Sequence, residues 1–520
     1  MRFRPICIAV FALAWFARPA YAQLPPAQPD PLAKMRAAAG PACSATEPSL
    51  CSEANPKIIA NALGPSPMEE NLRRLTDEIG GRPTGTPAMA RAVDWAVQAF
   101  RAAGVQEVHT ETYSIPLTWS EGETKLEIVD SNNSPIQIVS LGWSPATPDG
   151  GITAPLVDIG SGEAADFERA GGSVRGAIVL IHSEVLRTWD DLFNEYARAP
   201  GIVERAVHTG AAAILWMSTR EQKLLYRHID SLDGKLGPLP EAIVAREDAE
   251  RLARFAAAGS VRVRLEMPNR IGPGAQQQNV VAEIRGREKP DEYVVLGAHL
   301  DSWELGTGAL DNGCNAAMVI EAARDIVASG VAPRRSIRFV LFSGEEQGML
   351  GSYAYVRAHR EEMDRVAAAV IFDEGIGRVT GFSLGGRHDV EPALREILKP
   401  IESWGVSQDT FDAPVGTDNF DYLLEGVPTL IANQDAANYI VNYHAASDTF
   451  DKVDMRELKL HAAIAAITAF GIAERPERIG PRQSRAQIES LMKETGLDQQ
   501  MRSMGFWPAW ESGARGRQKQ

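Results

Sequence analysis

Basic residues are scarce in this sequence. Its 53 Lys and Arg stand against 68 Asp and Glu, a formal charge of −15, and no basic block offsets the excess. That argues against nucleic acid or an anionic membrane surface as a partner. Long apolar runs are missing too, since the one from Ile6 to Phe16 is too short to span a bilayer. Its basic start, MRFR, and its small-x-small end, Ala20-Tyr21-Ala22, mark it instead as a secretory signal cleaved after Ala22. The mature chain is therefore expected to be secreted or periplasmic, free of the membrane, and more acidic still, because cleavage removes Arg2, Arg4 and Arg18 and no acid. Cysteine is also rare, with four in 520 residues. Cys7 leaves with the signal. Cys43 and Cys51 read either as a local disulfide, as an oxidising compartment would allow, or as two free thiols. Cys314 has no evident partner and reads as a small apolar packing residue. No internal repeat or low-complexity block is found.

What remains is ordinary for a soluble globular protein, 44% hydrophobic and 23% charged, and the length predicts two or three units. After the signal (residues 1–22), residues 23–55 are Pro- and Ala-rich without a sustained period and read as a linker or pro-segment. Residues 56–146 read as the first part of a larger domain: a helix from Met68 to Ile79 stopped by Gly80-Gly81, a loop, and a helix whose apolar stripe includes Ala92, Trp95, Ala96, Ala99 and Phe100. Residues 147–267 alternate short strands with helices, notably Glu247 to Ala258, carry no catalytic-looking cluster, and fit an inserted α+β module. Residues 268–475 return as repeating strand–loop–helix segments, with strands at Val294 to Ala298, Ile337 to Phe342, Ala368 to Phe372 and Pro428 to Ala432. This spacing predicts an α/β class, with a three-layer α/β/α arrangement around a mixed, mostly parallel sheet. Residues 476–520 read as a C-terminal helical extension.

Four of those strands end in groups able to hold a metal. His299 and Asp301 follow the first, Glu345 and Glu346 the second, Asp373 the third, and His444 the fourth; Asp311 sits in the loop GAHLDSWELGTGALDNG that opens on Gly297. Parallel strands share one carboxyl edge, so these residues can converge although distant in sequence. A lone acid at a strand end is more often a helix cap or salt-bridge partner. Two imidazoles and several carboxylates ending neighbouring strands point to a metal, and mixed His and carboxylate donors suit zinc, with cobalt or manganese as poorer fits. Of nine histidines, only His299 and His444 have this setting.

The segments GAHLDSWELGTGALDNG, FSGEEQGMLGS, the FDEG around Asp373 and the YHAASDT around His444 resemble the motifs of the co-catalytic dizinc exopeptidases, the group of bacterial leucyl aminopeptidases, glutamate carboxypeptidase and carboxypeptidase Q, with the last type nearest. GGRPTGTPAMARAVDW is similar to the family's opening loop and helix, and residues 147–267 look like its protease-associated domain. The resemblance implies a zinc-exopeptidase fold, two Zn ions per chain and hydrolysis of short peptides by metal-activated water. On matching positions it implies that Asp311 bridges the ions, with His299 and Asp373 on one, Glu346 and His444 on the other, Asp301 steadying His299 and Asp448 supporting His444. Glu345, left without a ligand role, becomes the general base. Two departures stand out. Asn312 follows Asp311 where relatives often carry a second Asp, and Tyr443 precedes His444 where a His is common; the Tyr443 hydroxyl is expected to donate to the tetrahedral oxyanion. Asp418, in Gly416-Thr417-Asp418, tilts the reading toward an aminopeptidase that binds a substrate ammonium; Arg387 is the corresponding candidate for a carboxylate in a carboxypeptidase or dipeptidase. A homodimer is left open. The competing functions are a non-catalytic binding protein on the same fold and a glutaminyl cyclase-like acyltransferase.

Overall fold

The computed structural model describes residues 49–129, 135–229 and 231–519. The signal, its cleavage point at Ala22, Cys43 and most of the expected 23–55 linker lie outside the described residues. Cys51 is disulfide-bonded, and Cys314 is free and buried. Regular structure begins before the expected boundary, with the helix Cys51–Ala62 burying Cys51, Ala54, Ile58 and Ala62. Those positions recur every three to four residues, a pattern that the surrounding Pro and Ala residues, Pro56 within the helix among them, hide in the sequence.

The main sheet has seven strands in the order Glu107–Ile115, Ala275–Ile284, Arg335–Phe342, Lys289–His299, Val366–Ile371, Thr429–Gln434, Val379–Ser383. The four from Arg335–Phe342 to Thr429–Gln434 are parallel, and every flanking pairing is antiparallel. Val366–Ile371 is buried at every position, as a strand covered on both faces must be. Alternation divides the side chains between two cores. Val294, Leu296 and Ala298 enter the large one beneath the helices Cys314–Ser329 and Met455–Glu474, while Tyr293 and Val295 enter a smaller one with Tyr355 and Val366. The helix Met68–Arg73 continues as a π-helical turn, Arg74–Ile79, and stops at Gly80, whose φ of +79° favours glycine. The next helix, Pro87–Ala102, is capped by Thr86 and buries the expected stripe through Phe100.

A second seven-stranded sheet runs Lys125–Ile128, Arg262–Glu266, Ile152–Gly160, Ile178–Ile181, Ala213–Met217, Glu241–Val244, Ile138–Ser140, with apolar clusters on both faces. Its outer members Lys125–Ile128 and Ile138–Ser140 precede residue 147, so the inserted unit opens earlier than the sequence pattern implies. Each pairs with a strand more than a hundred residues later, and local alternation carries no trace of such a partner. The two chain crossings between units, Thr118–Ser120 and Arg270–Gly272, pair with each other. At the C-terminus, the helices Arg485–Thr495, Leu497–Ser503 and Trp507–Ser512 pack onto Val415, Phe420 and Leu424, and buried Arg515 makes two 2.7 Å bonds to Asp421.

His461 shows how the core depends on pH. It is fully buried in the helix Met455–Glu474, its Nε2 lies 2.8 Å from the carbonyl of Gly377, and burial lowers its pKa to about 4. The unfolded chain takes up this proton below about pH 6.5 and the folded chain only near pH 4, so His461 makes the fold lose stability as pH falls through that interval. The full effect is on the order of 3 kcal/mol. Thermal unfolding of the parent and of His461→Gln across this range should show the variant losing less; parallel curves would remove His461 as the source.

Candidate metal centre

Four of the expected donors sit where a parallel strand gives way to a loop, and Asp311 and His444 lie beside short helical segments. His299 ends its strand, Asp311 lies just before the helix Cys314–Ser329, Glu345 and Glu346 turn away after Arg335–Phe342, Asp373 follows Val366–Ile371, and His444 follows the short helix Tyr439–Asn442. The structure brings them together. His299 Nε2 lies 3.2 Å from Asp311 Oδ1 and 3.0 Å from Asp373 Oδ1. His444 Nε2 lies 3.2 Å from Asp311 Oδ2 and 2.9 Å from Glu346 Oε2. The two oxygens of Asp311 thus face one imidazole each, the arrangement a carboxylate needs to bridge two cations.

The donor set fits zinc on grounds internal to the site. Glu346 Oε1 is buried with no hydrogen-bond partner, and two groups of donor atoms, one including Glu345 and Asp373 and the other Asp311 and Glu346, each lie within 4.8 Å of one another around His299. Burial pushes the carboxyl groups of Glu345, Glu346 and Asp373 above the usual range, with neighbouring carboxylates adding to the effect and Glu346 reaching about 7. Against the same burial, the imidazoles of His299 and His444 hold Asp311 below it. So many buried carboxylates call for positive charge among them.

The supports differ from what the resemblance implies. Asp301 does not hold the His299 ring with its carboxylate, whose Oδ1 stands 3.7 Å from Nδ1; the partner of Nδ1 is the Asp301 backbone carbonyl at 3.0 Å. The carboxylate instead accepts from the backbone N–H groups of Glu345 and Glu346 at 3.3 and 3.4 Å and from the Thr84 hydroxyl at 3.1 Å. It fixes the turn that carries the paired glutamates. Asp448 likewise supports Asp311 rather than His444, accepting from the N–H groups of Ala309, Leu310 and Asp311 at 3.0, 2.6 and 3.1 Å. Fully buried Arg82 ties down the loop between His299 and Asp311 by donating to the carbonyls of Leu300, Thr307 and Gly308. Asn312 explains its own presence. Its amide donates to the Phe372 carbonyl at 2.9 Å and accepts from Asn315 at 2.7 Å, a pairing that an ionised aspartate could not make.

The inserted unit supplies the remaining support, which its sequence does not announce. His444 Nδ1 lies 3.0 Å from the Arg227 carbonyl, and Arg227 N–H donates back to the His444 carbonyl at 2.9 Å. Tyr226 pairs with Ala445 as an isolated antiparallel bridge. These bonds offset the cost of holding His444 at φ +57°, on the order of 1 kcal/mol for a residue with a side chain.

A cavity of about 620 Å³ opens onto the donors. Trp189, Leu192, Phe193 and Tyr196 of the inserted unit form one wall and Met504 of the C-terminal extension contributes to another; Glu345, Tyr443, Glu374, Asp409 and Asp412 also face it. Asp418 does not. Gly416 and Thr417 reach the wall, but Asp418 is fully buried behind it, and burial pushes its carboxyl up to about 8, so it is no anchor for an ammonium. Arg387 is likewise off the wall, buried and committed to Asp389 at 2.7 and 2.6 Å and to the Pro481 carbonyl at 2.9 Å.

The sequence profile of Peptidase family M28 matches residues 279–469. Carboxypeptidase Q of Mus musculus is 30% identical over 413 residues, which cover 79% of this chain and 86% of that protein. Among solved structures, a peptidase M28 precursor from Shewanella amazonensis matches with a TM-score of 0.74 and 29% identity, covering 82% of this chain and 98% of that one. BSAP, a zinc aminopeptidase from Bacillus subtilis, is similar in fold, with a TM-score of 0.63 and 20% identity over 80% of this chain and 97% of its own.

Asp448→Asn exchanges an acceptor for a donor against three N–H groups. Its zinc affinity, measured by competition with a chromogenic chelator, should fall about 10- to 100-fold, as for outer-shell changes elsewhere; an unchanged affinity would show that the Asp311 loop holds itself.

Proposed function

The chain belongs to peptidase family M28, the co-catalytic zinc exopeptidases, and from that premise we propose that it is a secreted aminopeptidase acting on short peptides. It is a zinc-dependent metallopeptidase, so the open questions are the end of the peptide attacked and the residues that act. In this reading His299 and Asp373 would hold one zinc and Glu346 and His444 the other, with Asp311 serving both. The chemistry zinc supplies when bound is polarisation of the scissile carbonyl and acidification of the attacking water. Glu345 would take a proton from the attacking water and return it to the leaving amine nitrogen. Tyr443, which lines the cavity, would donate from its hydroxyl to the oxygen of the scissile carbonyl as charge gathers on it.

The observation that carries the choice of end is the charge of the cavity. Beyond the metal donors, the exposed acids Asp190 and Asp412 line it, and no arginine or lysine is among the described residues that do so. Such a wall attracts the ammonium of a free amino terminus and offers no counter-charge to a substrate carboxylate. A second reading, cleavage directed by the carboxyl end, is favoured by the name of the mouse relative. We take the second sheet with its helices as a protease-associated domain. Secretion is supported by the composition of the first 22 residues and by the disulfide at Cys51; among the described residues no helix is long and apolar enough to cross a membrane.

Hydrolysis of an aminoacyl-nitroanilide should exceed that of an N-blocked dipeptide with a free carboxylate, and chelator should abolish both; the reverse order of substrates would favour the second reading. Separately, Glu345→Gln should retain its zinc and lose about 10²- to 10⁴-fold in kcat. A fully active variant would exclude Glu345 as the base.

A further inference from the structure

The helix Trp189–Thr209 of the inserted unit presents Trp189, Leu192, Phe193 and Tyr196 to the cavity, positions that share one helix face. Three of them are apolar. The fourth brings a hydroxyl, and Tyr196 Oη lies 2.8 Å from Tyr443 Oη. Both rings are held elsewhere. Tyr196 packs edge-on against His228 with centroids 4.5 Å apart. Tyr443 stacks on His444 at 3.6 Å and meets Tyr439 edge-on at 5.4 Å, while its backbone carbonyl accepts from Arg220 at 3.0 Å. Ring position is therefore fixed on both sides, and the freedom left to the pair is the direction of each O–H bond.

That freedom matters for catalysis. A phenol has one proton to donate, and if the Tyr443 proton points at Tyr196 it is turned away from the reacting carbonyl. If Tyr196 donates to Tyr443 Oη, the Tyr443 proton is released toward the cavity, and the bond it accepts makes it a stronger donor. We propose that Tyr196 is a positioning residue that presents the Tyr443 hydroxyl to the oxyanion, so that the inserted unit completes the catalytic apparatus of the other unit. This rests on the oxyanion role given to Tyr443 above.

The test is a double-mutant cycle on the zinc-loaded full chain, with kcat and KM for one aminoacyl-nitroanilide, zinc content and thermal midpoint recorded for Tyr196→Phe, Tyr443→Phe and the double variant. Phenylalanine keeps both rings in their packing. Tyr443→Phe should lower kcat about 100-fold, as for loss of one oxyanion donor. Tyr196→Phe should lower kcat roughly three- to tenfold, the worth of one neutral hydrogen bond, with KM, zinc content and midpoint unchanged. In the Tyr443→Phe background it should cost nothing more. An unchanged kcat in Tyr196→Phe, a loss confined to KM, or full multiplication of the two losses would each overturn the proposal. A fully active Tyr443→Phe would remove the oxyanion reading itself, and the positioning role with it.

Discussion

A single carboxylate that must face two imidazoles governs this architecture. Asp311 sits between His299 and His444 with one oxygen toward each, and small rotations of its loop would break one contact or the other. The surrounding hydrogen bonds make sense as restraints on that geometry. Asp448 gathers three successive backbone N–H groups of the Asp311 loop, Arg82 holds the carbonyls of Thr307 and Gly308 just before them, and Asn312 pins its far end to the carbonyl of Phe372, next to Asp373. Asp301 does the same for the glutamate turn. Several buried acids here are not ligands at all. They hold backbone, and through backbone they hold ligands.

The donors themselves were legible because their signal is local. An apolar strand followed closely by His or an acid can be read without knowing the partner, and three such ends in one α/β segment imply a shared edge. The supporting contacts were not legible for a related reason. Asp301 and Asp448 act on N–H groups, which every residue has, so neither composition nor spacing marks the recipient. The motif pointed to both acids but not to the backbone N–H groups that they accept from. Asp418 and Arg387 failed differently. Each sits near the right place in the chain, but the direction of a side chain at a loop depends on packing from distant segments, and that packing turned both away from the cavity.

The inserted unit illustrates the same limit at larger scale. Its sequence contains no cluster of reactive residues, yet Arg227 holds a metal ligand through backbone atoms and the helix Trp189–Thr209 builds a cavity wall from ordinary aromatic and aliphatic side chains. Its outer strands were assigned to the wrong unit because their partners lie far along the chain. The C-terminal extension, silent in the sequence, reaches the cavity through Met504.

The bridge between Tyr226 and Ala445, with the paired Arg227 and His444 bonds beside it, crosses from one unit to the other at a residue proposed to hold zinc. Zinc held by His444 Nε2 and docking of the inserted unit at its Nδ1 and backbone would draw on the same residue and so be thermodynamically linked. Linkage is reciprocal: whatever factor docking contributes to zinc affinity, zinc returns to docking. The ion would then serve as a fastener as well as a reagent. Since Arg227 and Asp448 come from opposite parts of the chain, a nascent polypeptide would hold zinc weakly until its last third had folded against its middle.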